Sequence, residues 1–145
     1  LFLLTGEAKY IDVLERTLYN GFLSGVSQGG NLFFYPNPLV SNGSDKFNHG
    51  YATRCEWFNT SCCPTNVARF LPSLPGYVYA HQKGEIFVNL FIAGTGKVQT
   101  DAGPVTLTQQ TDYPYNGKVR LTVAPAPGNL PLTLQLATEA GLQVQ

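Results

Sequence analysis

Leu71-Pro72-Ser73-Leu74-Pro75-Gly76-Tyr77-Val78-Tyr79-Ala80-His81-Gln82-Lys83-Gly84-Glu85-Ile86-Phe87-Val88 is the stretch in which the pattern of this 145-residue sequence changes. Pro72 and Pro75 each lack a backbone donor and crowd the preceding turn, so a helix is expected to end here. Beyond Gly76, Tyr77 to Ala80, Glu85 to Ile92, Val105 to Thr108, Lys118 to Val123 and Leu132 to Leu136 are short β-prone runs, most with period-two alternation. Gly94 to Gly96, Ala102 to Pro104 and Asn116-Gly117 punctuate them as turns. Short strands at such spacing predict a sandwich. The reading is therefore α+β in two parts: a helical part over residues 1–82 and an antiparallel β-sandwich portion over 83–145, divided near His81 to Gly84.

Upstream of the change the period is helical. Ile11, Leu14, Leu18 and Phe22 recur at spacings of three and four, which predicts one apolar helix face over Glu7 to Phe22. Thr5 suits the N-cap, Glu7 and Asp12 lie toward the positive end, and Gly21 lies near the other end. Ser24 to Gly30 is rich in Gly and Ser, and Asn31 to Tyr35 reads as a short strand stopped by Pro36 and Pro38. Ser41 to Gly50 has loop composition. Pro64 suits the first position of a second helix running through Leu71, with Val67, Phe70 and Leu71 on one face.

Composition limits the function classes. With 43% hydrophobic and 12% charged residues, the chain has enough apolar material for a core and is not disordered. Nine Lys+Arg balance nine Asp+Glu, which leaves no electrostatic footprint for nucleic acid or an anionic membrane surface. An uncharged partner is expected. Eight Tyr, nine Phe and one Trp suit sugar-stacking surfaces and a buried core alike. No apolar run, Leu1 to Leu4 included, exceeds four residues, far short of the ~20 of a membrane span. No basic region precedes it as in a signal peptide. The apolar opening without Met reads as the middle of an element, so an internal segment of a longer protein is expected. Separated from such a protein, the Ile11/Leu14/Leu18 face would be uncovered and would favour self-association. Compartment is not assigned: Asn42-Gly43-Ser44 and Asn59-Thr60-Ser61 match the glycosylation pattern, while unpaired cysteines fit a reducing or metal-buffered setting.

Cys62 and Cys63 are the residues with chemistry. As neighbours their Cα atoms lie ~3.8 Å apart, below the ~4.4–6.8 Å of most disulfides, so they are not expected to bridge each other. Buried apolar residues, reactive thiols and soft zinc ligands are all open readings. Pro64 biases Cys63 away from helical dihedrals and is expected to place both cysteines just before the first turn of a helix. Unpaired N–H groups there favour an anion, and a thiolate is one. Two thiolates are half of a tetrahedral zinc shell. Cys55 is poorly placed to add a third, and His49 and His81 are single residues without ligand spacing.

Beside this reading stands a family resemblance. Gly6-Glu7-Ala8-Lys9-Tyr10-Ile11-Asp12-Val13-Leu14-Glu15-Arg16-Thr17-Leu18-Tyr19-Asn20-Gly21, Phe33-Phe34-Tyr35-Pro36-Asn37-Pro38-Leu39, Arg54-Cys55-Glu56-Trp57-Phe58 with Ser61-Cys62-Cys63-Pro64-Thr65-Asn66-Val67-Ala68-Arg69, and Thr111-Asp112-Tyr113-Pro114-Tyr115-Asn116-Gly117 occur in that order. Together they resemble glycoside hydrolase family 127, the β-L-arabinofuranosidase family also known as DUF1680. Thr60 departs from the pattern, since many relatives carry a cysteine there. Ala137-Thr138-Glu139-Ala140 departs from the family's Arg-Ile-Pro-x-Trp strand.

The resemblance implies the end of an (α/α)6 barrel followed by part of a β-sandwich middle domain. It implies a retaining, exo-acting glycosidase that removes a terminal β-L-arabinofuranosyl unit from an oligosaccharide or glycoconjugate. Cys62 would be nucleophile and zinc ligand, and Cys63 a ligand only. The acid glutamate, and the Glu and Cys completing the zinc shell, would precede Leu1. Tyr35 and Asn66 fall in motifs near the active site, where sugar contact, packing and capping are all open. A different class also fits the isolated piece: a non-catalytic carbohydrate-binding or structural module with structural cysteines. A Glu-x-Cys segment shortly upstream would decide for catalysis, and its absence for the module.

Overall fold

Gly6 ends the first helical turn, α1 (Phe2–Thr5), with a left-handed φ of 70° that glycine accepts freely. The Thr5 hydroxyl then accepts the Glu7 N–H (3.2 Å) as the chain enters α2 (Lys9–Arg16). The computed structural model describes residues 1–125 and 133–136; the departure at Ala137-Thr138-Glu139-Ala140 lies outside them. Contacts divide the chain into two units, Leu14–Ser73 and a second made of Leu1–Val13 with Leu74–Gln145.

The second unit holds α1, the start of α2, helix α4 (Pro75–Val78) and strands β1 (Tyr79–Gln82), β2 (Glu85–Val88), β3 (Gly94–Thr100), β4 (Gly103–Thr111), β5 (Val119–Pro125) and β6 (Thr133–Leu136). They form two three-stranded sheets, ordered β1-β2-β6 and β3-β4-β5. Ile86 and Tyr79 from one sheet meet Val98, Val105, Leu107, Leu121 and Val123 from the other in a shared core, as in a sandwich. Ile86 and Leu107 are fully buried, and each such side chain contributes about 1.5–3 kcal/mol relative to exposure. Phe87, on the opposite face of β2, packs with Phe2 and Ile11, its ring 5.5 Å from that of Phe2 and nearly perpendicular to it.

Several expectations are corrected here. The pairs β1–β2, β3–β4 and β4–β5 are antiparallel, but β2–β6 is parallel, so the sandwich portion is not purely antiparallel. The β1–β2 hairpin turns at Lys83 and Gly84, both with positive φ (49° and 82°). Tyr77 and Val78 are helical because Pro75 opens α4. Gly94 to Gly96 is not a break but the start of β3: the Tyr79 ring occupies the space beside Gly96, where an added Cβ would come within 2.6 Å of Cε2.

The Leu14–Ser73 unit carries the end of α2, a π-helical turn (Thr17–Phe22), a 3-10 turn (Leu23–Gly25) and helix α3 (Cys62–Ser73). The helix expected through Phe22 therefore widens after Arg16, and Leu23 N–H bonds the Leu18 carbonyl. The freed Gly21 carbonyl accepts from Asn37 Nδ2 (2.8 Å). Asn31 to Tyr35 is not a strand. Phe33 makes single bridges to Val26 and Cys55, while Tyr35 N–H goes to a side chain instead of a strand neighbour. Helix α3 begins at Cys62 and not at Pro64, because a proline in the first turn forfeits no hydrogen bond there. It also runs past Pro72 to Ser73.

Helices α1 to α4 do not by themselves trace a barrel. Among the described residues no helix is long and apolar enough to cross a membrane. Of the face expected to be uncovered, Ile11 and Leu18 are each 4% exposed and Leu14 is half-buried, whereas Leu1, Leu3, Leu4 and Val13 stand in solvent.

Candidate active site

Ser61 and the residues after it start α3 by local side-chain bonds. Ser61 Oγ donates to the Phe58 carbonyl (2.7 Å), Thr65 Oγ1 to the Ser61 and Cys62 carbonyls (2.6 and 3.0 Å), and Asn66 Nδ2 to the Cys62 carbonyl (2.8 Å). Asn66 thus holds the backbone of Cys62. Both cysteines lie inside the first helical turn rather than before it, still among N–H groups without helical partners. Cys62 is exposed, Cys63 is half-buried, and neither forms a disulfide; their sulfurs are 3.8 Å apart.

Tyr35 completes the cluster. Its hydroxyl is in hydrogen-bonding contact with Cys62 Sγ. The backbone of Tyr35 is fixed by Asn48, fully buried, whose Oδ1 accepts the Tyr35 N–H (2.8 Å) and whose Nδ2 donates to the Thr53 and Phe33 carbonyls (2.8 and 3.2 Å). The rings of His49 and Phe58 lie 4.5 and 5.4 Å from that of Tyr35. Farther out, Asn37 and Arg54 bind carbonyls at the end of the π-helical region: Asn37 Nδ2 on Gly21 and Arg54 Nη2 on Ser24 (2.6 Å), with the guanidinium 4.4 Å from the Phe34 ring. Cationic and amide donors suit that negative helix end.

The electrostatics separate the two thiols. The hydrogen bond with the Tyr35 hydroxyl favours the Cys62 thiolate, which brings the Cys62 pKa down from the ordinary thiol value. Burial, and then the neighbouring Cys62, push Cys63 up. Tyr35 itself is pushed up to about 12, chiefly by its bond to Cys62, and so keeps its proton. Of the pair, Cys62 is the one that ionises first.

The sulfur separation also bears on zinc. Two thiolates on a tetrahedral zinc at about 2.3 Å have sulfurs roughly 3.8 Å apart, the separation present here. Cys62 and Cys63 therefore fit as half of a zinc shell. Among the described residues no group of three or more His, Cys, Asp or Glu could hold a metal. Cys55 contacts Asn48 and the Thr53 carbonyl. The sequence singles out Tyr35, Cys62 and Cys63, which the structure brings together, but gives no role to Asn48 and sets His49 aside as a lone histidine. Their signal is weak: an Asn-His-Gly turn inside loop composition.

Comparison with known proteins identifies the family. The sequence model of the β-L-arabinofuranosidase GH127 catalytic domain matches residues 1–76, and that of the GH127 middle domain matches residues 85–141. The chain belongs to glycoside hydrolase family 127. A non-reducing end β-L-arabinofuranosidase of Bifidobacterium longum subsp. longum is 33% identical over 124 residues, covering 81% of this chain and 18% of that protein. Among solved GH127 structures, a β-arabinofuranosidase is 50% identical with a TM-score of 0.82, covering 93% of this chain and 20% of its own. The β-L-arabinofuranosidase Ara127N-Se from Geobacillus stearothermophilus T6 is 39% identical with a TM-score of 0.74, covering 86% and 20%. The chain thus spans about a fifth of the length of these GH127 relatives.

Proposed function

We propose that the protein carrying this chain is a retaining, exo-acting β-L-arabinofuranosidase with Cys62 as nucleophile, acting on a terminal arabinofuranosyl unit of an oligosaccharide or glycoconjugate. The observation that carries the reading is the exposed Cys62 sulfur in the first turn of α3, under the Tyr35 hydroxyl, with its pKa lowered while that of Cys63 is raised. The family membership supports a carbohydrate substrate and glycosidic bond hydrolysis.

In this mechanism the Cys62 thiolate attacks the anomeric carbon and the bond to the leaving oxygen breaks. A carboxylic acid outside this chain protonates that oxygen. The thioglycosyl intermediate is the sulfur analogue of the covalent intermediate of carboxylate-based retaining enzymes. Water then attacks the same carbon, giving a proton to the carboxylate left by the first step, and the carbon–sulfur bond breaks, which releases the sugar with retained configuration and frees the thiolate. The Tyr35 hydroxyl, protonated throughout, donates to the sulfur whenever it bears charge. Cys62 and Cys63 would hold zinc together with ligands from elsewhere in the protein, and the metal when bound would deprotonate the thiols it ligates.

We assign the residues before β1 to the end of the helical barrel and those of the two sheets to the middle domain. The test is hydrolysis of an aryl β-L-arabinofuranoside by the full-length enzyme and its Cys62→Ser variant. Turnover that vanishes in the variant supports the reading. Turnover that survives, or none in the wild type, contradicts it.

A further inference from the structure

His49 and Gly50 form a tight turn between Asn48 and Tyr51, which exchange both backbone hydrogen bonds (2.9 and 3.1 Å). Both turn residues have positive φ, 52° at His49 and 94° at Gly50. Glycine adopts that conformation without penalty; histidine does so at a steric cost. The residue before the turn, Asn48, anchors the Tyr35 backbone, and the strained residue itself lays its ring 4.5 Å from the Tyr35 ring and 5.4 Å from Phe58. Tyr35 is thus held at its backbone by Asn48 and at its ring by His49 and Phe58, and its hydroxyl meets Cys62.

We infer that His49 is a positioning residue, kept in the left-handed conformation so that its ring fixes Tyr35 against the Cys62 sulfur. The inference rests on the reading of Cys62 as nucleophile. It assigns no proton transfer to the imidazole: the role is that of a flat ring at a set place, reached by a turn in which glycine would be the easier residue. Local strain retained beside reactive groups fits such a role.

A double-mutant cycle on the full-length enzyme tests it. His49→Gly removes the ring contacts while glycine takes the turn without strain, so the two effects on stability oppose each other; a cooperative unfolding transition close to the wild-type temperature checks that the fold is kept. Tyr35→Phe removes one hydrogen bond to a charged atom, which predicts a loss in kcat of roughly tenfold with KM little changed. His49→Gly is expected to cost severalfold in kcat, the double variant no more than Tyr35→Phe alone, and His49→Asn, which accepts the left-handed turn but has no ring, to lose kcat as His49→Gly does. The same cycle is run on the rate at which iodoacetamide labels Cys62 in the presence of a chelator. There too, His49→Gly should change the rate in the direction of Tyr35→Phe, with no added change in the double variant. Losses that multiply, or a His49→Gly enzyme indistinguishable from wild type, would overturn the inference. If the wild type hydrolyses no arabinofuranoside, the proposed activity fails, and the labelling cycle still decides the role of His49.

Discussion

The hydroxyl of Tyr35 and the sulfur of Cys62, 27 residues apart in sequence, are in hydrogen-bonding contact. That contact separates two otherwise similar neighbours, because it favours charge on Cys62, while burial and the adjacent sulfur disfavour charge on Cys63.

The sign of the pH dependence follows. With its pKa lowered, the Cys62 thiolate forms at lower pH than an ordinary thiol, so the metal-free labelling rate should rise with an inflection below the usual thiol range. Tyr35→Phe should move that inflection upward; Tyr35, at about 12, does not titrate in the same window. An inflection unmoved by the substitution would remove Tyr35 from the account.

Substituting the two cysteines should give different defects. Cys62→Ser should abolish turnover, since an alcohol supplies no anion at neutral pH and binds zinc poorly. Cys63→Ser leaves the attacking sulfur and removes a ligand, so weakened zinc affinity, partly rescued by added metal, is expected. Zinc titration of both variants, read with activity, checks the division.

Gly96→Ala should destabilise the sandwich unit by about 1–3 kcal/mol through overpacking. Its Cβ would meet Tyr79 Cε2 at 2.6 Å, and Tyr79 has little room to move because it packs on the core and its hydroxyl accepts from Gln109 Nε2 (3.0 Å). Leu107→Ala, at a fully buried site, should cost about 2–5 kcal/mol. Thermal unfolding of both variants tests these values, and a neutral Gly96→Ala would contradict the packing argument.

Taken by itself, the 145-residue chain should bind zinc weakly and hydrolyse no aryl β-L-arabinofuranoside, since its described residues contain no group of three candidate ligands. Turnover by the purified chain, or tight zinc binding measured by calorimetry, would contradict this.

How far the sequence reaches is clear at particular residues. Alternation in Val105 to Thr108 and Lys118 to Val123 located β4 and β5, because a strand with one face in a core repeats every second residue. Gly94 to Gly96 misled, because a tyrosine ring from another strand, not a turn, demands Gly96. Phe33 has strand-like composition yet makes only single bridges to Val26 and Cys55, and those partners lie too far along the chain for local composition to show. That Cys62 and Cys63 stand at a helix start is legible from Pro64, although the helix begins at Cys62 and not at Pro64. The support under Tyr35 is not legible, since Asn48 and His49 act through a turn whose composition resembles any other loop.

The central claim is that the Cys62 sulfur attacks the sugar. Its most direct test is mass spectrometry of the full-length enzyme after reaction with an electrophile resembling the arabinofuranosyl ring, with the label mapped to individual residues. The account predicts the label on Cys62. A label only on Cys63, or on a carboxylate, would contradict it.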